Sequence, residues 1–168
     1  MAITATSAAS AQGGTAPDRL EKVLAVLSLA LLVTVLAAVA RGQGDWSHVP
    51  ALVWGHLALI VVALALTPLM LLRPRGDRLH RTLGTIWFVA MFGAALSSFG
   101  ITRNGHFSPI HLLSIFVVIM VPISWRAARG HRVVRHRRAV RGLVIGALLV
   151  AGVFTFPFDR LLGHWLFG

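Results

Sequence analysis

Four histidines that lie in or just before apolar stretches are the residues of this sequence best suited to chemistry. His56 lies inside a long apolar stretch, and His111 lies two residues into another that begins at Pro109. His80 and His136 come shortly before two further apolar stretches. Imidazole is a ligand for transition metals and haem iron, and an ionisable side chain within a membrane span is a functional hypothesis by default. The chain contains no Cys, which excludes thiolate, iron–sulfur and disulfide chemistry.

The composition indicates that these histidines belong to a membrane protein. Hydrophobic residues make up 57% of the 168 residues. Lys and Arg number 16 against five Asp and Glu, a net charge of +11 that would suggest a nucleic-acid partner in a soluble protein. Here the basic residues lie between long apolar runs. We therefore expect an integral membrane protein in contact with lipid, and no nucleic-acid partner.

Five apolar stretches are candidates for membrane spans, which need about 20 residues at a rise of about 1.5 Å per residue. The expected spans are 20–40, 50–72, 83–101, 109–125 and 142–156. The last is short, and could begin earlier among the arginines that precede it. The sequence thus predicts an all-α bundle of about five transmembrane helices, in which spans two to five form a four-helix core. We expect a disordered tail over 1–17, with Ser108 and Pro109 capping span four.

The basic residues predict the orientation of the bundle. Loop 73–82 holds four arginines, segment 126–141 holds seven, and Arg19 and Lys22 flank the first span. Only three basic residues remain for the opposite side. By the positive-inside rule we expect a multi-pass protein of the cell inner (plasma) membrane, with the N-terminus in the cytoplasm and the C-terminus outside. Residues 1–17 lack the basic and apolar parts of a signal peptide, so none is expected.

The four histidines are expected at two depths in the membrane. Spans two and four both run inward, and His56 and His111 differ in depth by about four residues, or about 6 Å. His80 and His136 precede spans three and five, which both run outward, so they lie at the cytoplasmic edge. We therefore expect an outer pair, His56 with His111, and an inner pair, His80 with His136. Paired imidazoles inside a helical bundle suit bis-histidine ligation of haem b.

Structural roles for the histidines stay open at this point. A hydrogen bond across the bundle is the alternative for His56, contact with lipid headgroups for His136, and helix capping or solvent for His80. His48, His106 and His164 are expected to be solvated. For His131 we favour contact with solvent or lipid headgroups, and the choice between His131 and His136 as the inner ligand stays open.

Short motifs around the candidate ligands support the redox interpretation. They are WGHLALIVVALALTPLMLLRPR at 54–75, RLHRTLG at 78–84, SPIHLLS at 108–114 and RHRRAVRGLVIGALLVAG at 135–152. Together they resemble the ligand helices of the cytochrome b561 family of two-haem transmembrane electron carriers. That family places one ligand pair on its second and fourth helices and the other on its third and fifth. The resemblance implies one or two haem b groups, with His56, His80, His111 and His136 as the iron ligands.

A second resemblance concerns the chain as a whole. LHRTLG, SSFGI, SPIHLLS and FTFPFDRLLG closely resemble motifs of an uncharacterised family of small bacterial membrane proteins, a domain of unknown function. That likeness implies a bacterial inner membrane and supplies no activity.

Two classes of function follow from these observations. The first is a transmembrane electron carrier or small oxidoreductase that uses haem b. Four arginines near the inner pair would bind haem propionates or an anionic donor such as ascorbate or a quinol headgroup: Arg78, Arg81, Arg135 and Arg137. The second is a non-redox assembly or interaction subunit, in a homo-oligomer or larger membrane complex, whose histidines are structural. A proton or metal-ion pathway is weakly supported, because the apolar spans hold almost no acids. No catalytic residue is identified.

Overall fold

A computed structural model of the chain describes residues 16–101, 110–157 and 160–168. Four long helices follow one another: α1 (Arg19–Arg41), α2 (Ala51–Leu72), α3 (Arg78–Ser98) and α4 (His111–Arg129). A fifth helical run joins α5 (Val133–Gly142), a π-helical segment (Leu143–Val150) and α6 (Ala151–Val153). A short 3₁₀ helix (Gln43–His48) precedes α2, and α7 (Leu161–Phe167) follows the fifth run. The described residues form no strands, so the expected all-α class is confirmed.

Helices α1 to α4 are each long and apolar enough to cross a membrane. Many of their large apolar side chains point away from the bundle, as do Val33 (60% exposed), Val89 (62%) and Leu112 (68%). Such an apolar outer surface would be a liability in water, and it suits an environment of lipid. These four helices therefore support the expectation of a membrane protein.

The fifth helical run begins earlier than the expected span 142–156. It starts at Val133, among the arginines, and its three segments contain 10, 8 and 3 residues. At Leu143 the hydrogen bonding changes to the wider π-helical pattern. This pattern is rare in proteins, and where it does occur it is often found at functional sites.

Aspartate side chains cap the N-termini of two of the helices. Asp18 precedes α1 and forms a capping box with Glu21, in which each side chain accepts from the other residue's backbone N–H. Asp77 precedes α3 and accepts from the N–H of His80 at 2.6 Å. The caps expected for span four, Ser108 and Pro109, and most of the expected tail 1–17 lie outside the described residues.

The helices pack in sequence order, and the fifth run packs against α4 and also against α1. The expected core of spans two to five is thus extended by α1, whose Val35 and Ala38 are buried. The start of α1 meets the loop before α3 and the start of α5 through ion pairs, and we call this arginine-rich end of the bundle the basic end. At the opposite end the ring of Trp54 lies 5.5 Å from that of Trp46 and 6.1 Å from that of Trp165. We call this the tryptophan end.

Candidate functional site

The structure brings His56 and His111 to one cavity. This cavity has a volume of about 270 Å³, and side chains of α1 to α4, the π-helical segment and α7 contribute to its mostly apolar wall. It lies toward the tryptophan end, because it includes the first turns of α2 and α4 and reaches Arg160 just before α7. The two imidazoles and Arg160 are the strongly polar groups among the described residues that line it.

The ring of His56 is held by the third helix. Its Nδ1 lies 3.0 Å from the carbonyl oxygen of Ala94 and 3.0 Å from the hydroxyl oxygen of Ser97. The Ser97 hydroxyl is itself 3.0 Å from the Ala94 carbonyl, to which it donates. An Nδ1–H that donates to the carbonyl fixes the tautomer, so Nε2 of His56 carries the lone pair that a metal would use.

The ring of His111 meets the same turn of α3. His111 is buried, and its Nε2 donates to the Ser98 carbonyl at 3.2 Å. One turn along α4, Ser114 accepts from the Ser98 hydroxyl at 2.6 Å. Because the partners of both histidines fall within five consecutive residues of α3, the two imidazoles lie within about 6 Å in depth. The depth match that the sequence predicted for this pair is thus present in the fold.

The second histidine pair lies toward the basic end. Nδ1 of His136 lies 3.2 Å from both the carbonyl and the hydroxyl oxygen of Ser124 on α4, and the ring meets Phe88 edge-on at 6.1 Å. His80 lies in the first turn of α3, at the same end of the bundle. Nδ1 of His80 is buried and has no hydrogen-bond partner among the described residues. A buried orphan of this kind calls for an explanation, and a bound group is one.

The four arginines proposed to serve the inner pair differ in their surroundings. Arg78, Arg81 and Arg135 are exposed at the basic end. Arg137 instead points toward α1, where its Nε lies 2.7 Å from Oε1 of Glu21 and its terminal nitrogen 3.2 Å from Asp18. Binding of a propionate by Arg137 would require that it leave these partners, whereas the other three arginines are open to an anion.

Sequence reasoning missed Glu21, which is the centre of an ion cluster at the basic end. Glu21 is 1% exposed and accepts hydrogen bonds from Arg75, Arg137 and Arg141. The cluster ties α1 to the loop before α3 and to α5. Two signals in the sequence pointed to it: the Asp18–Glu21 capping-box spacing, and an acid placed at the start of an apolar run amid many arginines.

Asp18 forms the outer part of this ion cluster. A hydrogen bond from the backbone N–H of Glu21 lowers the pKa of Asp18; desolvation opposes this, and hydrogen bonding to Arg141 lowers it further. The pKa of Asp18 is lower in the folded state than in the unfolded state. The contribution of Asp18 to stability is therefore fully present at pH values above the unfolded-state pKa. It is lost as the pH falls through the folded pKa.

The other described histidines lie at the surface. His48, His131 and His164 are exposed, and His106 is outside the described residues. His131 also has a positive φ of 54°, in the turn that joins α4 to α5. The described residues contain no group of three or more His, Asp or Glu side chains placed to hold a metal ion. Iron held by a porphyrin and two histidines does not require such a group.

Comparison with protein-family profiles, with curated proteins and with solved structures finds no match to this chain.

Proposed function

We propose that this chain is a b-type haem electron carrier of the membrane, with a layout like that of cytochrome b561, and that His56 and His111 are the ligands of one haem. The observation that carries the proposal is that both imidazoles line the same apolar cavity. Histidines that bind metals usually donate their second ring N–H to a carbonyl or carboxylate, as the contact of His56 with Ala94 provides. When bound, the haem iron supplies reversible one-electron chemistry.

The side chains around the cavity fit such a group, with two adjustments. The volume of about 270 Å³ is slightly below the roughly 300–1,000 Å³ of typical ligand pockets, so the apolar walls must separate to admit a haem. To bind iron through Nε2, His111 must exchange its contact with Ser98, because that nitrogen is engaged there.

The pair His80 and His136 forms the second site of this proposal. The unpartnered Nδ1 of His80 supports a bound group there, and the contact of His136 Nδ1 with Ser124 leaves Nε2 for a metal. Along α3, His80 and Ser98 are 18 residues apart, or about 27 Å. With a haem site near each end, an electron would cross this distance in shorter steps than with one site alone. The exposed Arg78 and Arg81 would receive an anionic donor such as ascorbate or a quinol headgroup from the cytoplasm, the side of the N-terminus in this proposal.

Absorption spectra of the detergent-purified protein test the first site. We expect a low-spin b-type spectrum that changes on reduction with dithionite. In His56→Ala and in His111→Ala the haem of the first site should be lost or converted to high spin, so the low-spin signal that is left belongs to the second site. His164→Ala, which removes an exposed imidazole, is the matched control and should leave the spectrum unchanged. A colourless wild-type protein after expression with excess haem would refute the assignment. So would an amount of low-spin haem per protein in both cavity variants equal to that of the wild type.

Oriented liposomes test transfer across the membrane. With a reductant trapped inside and ferricyanide outside, we expect haem-dependent reduction of the external dye. His56→Ala and His136→Ala should each abolish it, and His164→Ala should not. Reduction at the rate of empty liposomes, while the haem itself is reduced, would argue against an electron carrier and leave haem binding intact.

A structural role for the histidines is the second candidate, since three of them already contact another helix through a carbonyl group. These contacts join His56 to Ala94, His111 to Ser98 and His136 to Ser124. Interhelical hydrogen bonds of this kind contribute about 0.6–1.7 kcal/mol each in membrane proteins. An assembly or interaction subunit of this type would be purified without colour, and His56→Ala would lower only its thermal stability.

A further inference from the structure

The arginines of α5, together with Arg132 just before it, point in two directions. Arg137 and Arg141 turn inward to Glu21 and Asp18. The outward arginines, Arg132, Arg135 and Arg138, are exposed and form no ion pair with any residue that the structure describes. Their charge is left for a partner outside the chain.

These three arginines border a groove of about 700 Å³ between α4 and the start of α5. The opposite wall of the groove is apolar and includes Met120 and Ile123 of α4, and Val134 of α5 completes it. Met120 lies nine residues before Arg129, the last residue of α4, so the groove reaches about 13 Å into the apolar part of the bundle. It therefore combines a cationic end with an apolar channel.

We infer that this groove binds one anionic phospholipid, with the phosphate on Arg132, Arg135 and Arg138 and an acyl chain along Met120 and Ile123. Charge complementarity favours an anion, because none of the groove's described lining residues is acidic. The apolar wall favours a lipid over a soluble anion, because α4 is apolar and long enough to lie in the bilayer. Basic pockets between membrane helices are known to receive anionic headgroups. The groove is lined by none of the four histidines, and it shares only Arg135 with the arginines expected to serve the inner pair.

Native mass spectrometry of the full chain in detergent, titrated with phosphatidylglycerol or phosphatidylcholine, tests the inference. We expect one phosphatidylglycerol to be retained in preference to phosphatidylcholine. The triple variant Arg132→Gln, Arg135→Gln, Arg138→Gln should bind phosphatidylglycerol at least about tenfold more weakly, because each arginine near an anionic headgroup contributes measurably to binding. A matched triple variant, Arg19→Gln, Lys22→Gln, Arg126→Gln, removes equal charge from exposed positions outside the groove and should bind within about twofold of wild type.

A second variant keeps every charge, and it tests the same site if the triple variant does not fold. Val134 is 75% exposed, and Val134→Trp fills the groove without disturbing the core. We expect it also to weaken phosphatidylglycerol binding, whereas excess glycerol phosphate should not displace the lipid. Equal weakening in both triple variants, unchanged binding in Val134→Trp, or displacement by glycerol phosphate would overturn the inference.

Discussion

Replacing Glu21 by glutamine removes a buried negative charge while preserving the shape of the side chain. Gln can still accept the backbone N–H of Asp18, so the capping box is retained. The cluster holds three arginines and two acids. In Glu21→Gln, only Asp18 remains to balance Arg75, Arg137 and Arg141.

The expected loss of stability follows from the burial of these groups. Removing one partner of a fully buried ion pair costs about 3–5 kcal/mol. The side chains of Arg75, Arg137 and Arg141 are 14%, 21% and 23% exposed, so water solvates part of the charge that is left. We therefore expect about 2–3 kcal/mol for Glu21→Gln, which for a chain of this length lowers the melting temperature by about 5–10 °C.

Thermal unfolding in detergent, followed by circular dichroism, measures this loss. The matched control is Asp77→Asn, which also removes an acid at a helix start but keeps a good cap. Its ion pair with Arg73 is exposed, with side chains 43% and 39% accessible, and should contribute less than about 1 kcal/mol. Adding Arg141→Gln to Glu21→Gln should restore part of the stability, because it removes an unbalanced cation. Equal shifts in Glu21→Gln and Asp77→Asn would refute this account of the cluster.

Three further substitutions test the packing and the turns, each by the melting temperature. His131→Gly should stabilise the protein by up to about 1 kcal/mol, because the φ of 54° at this position suits glycine better than any residue with a Cβ. A loss of stability or of haem would show instead that the imidazole is needed. Gly163→Ala should destabilise the protein by more than about 1 kcal/mol, since a Cβ at this position would collide with the backbone carbonyl of Phe156. An unchanged melting temperature would mean that α7 is loosely held. Thr67→Val should lower the stability of the protein by about 1 kcal/mol, because the buried Trp87 Nε1–H donates to the Thr67 hydroxyl at 2.9 Å. An unchanged melting temperature would show that another group replaces this hydrogen bond.

The sequence predicted the class of the fold because the signals involved are local. Apolar runs of about 20 residues indicate spanning helices without knowledge of their neighbours. The rise of about 1.5 Å per residue likewise placed His56 and His111 at similar depth before any contact was known. Both are seen in the structure, in α1 to α4 and in the single turn of α3 that the two histidines share. Whether either histidine binds haem remains a prediction.

Other features depended on how the helices rotate about their axes and on which faces meet. The partners Glu21 and Arg137 are 116 residues apart, and their pairing requires that α1 and α5 become neighbours. The same packing turned Arg137 inward and left Arg135, two residues away, exposed. Hydropathy reports how deep a residue lies and not which way it faces. The orphaned Nδ1 of His80, the shared cavity and the groove beside α5 were therefore decided only by the tertiary structure.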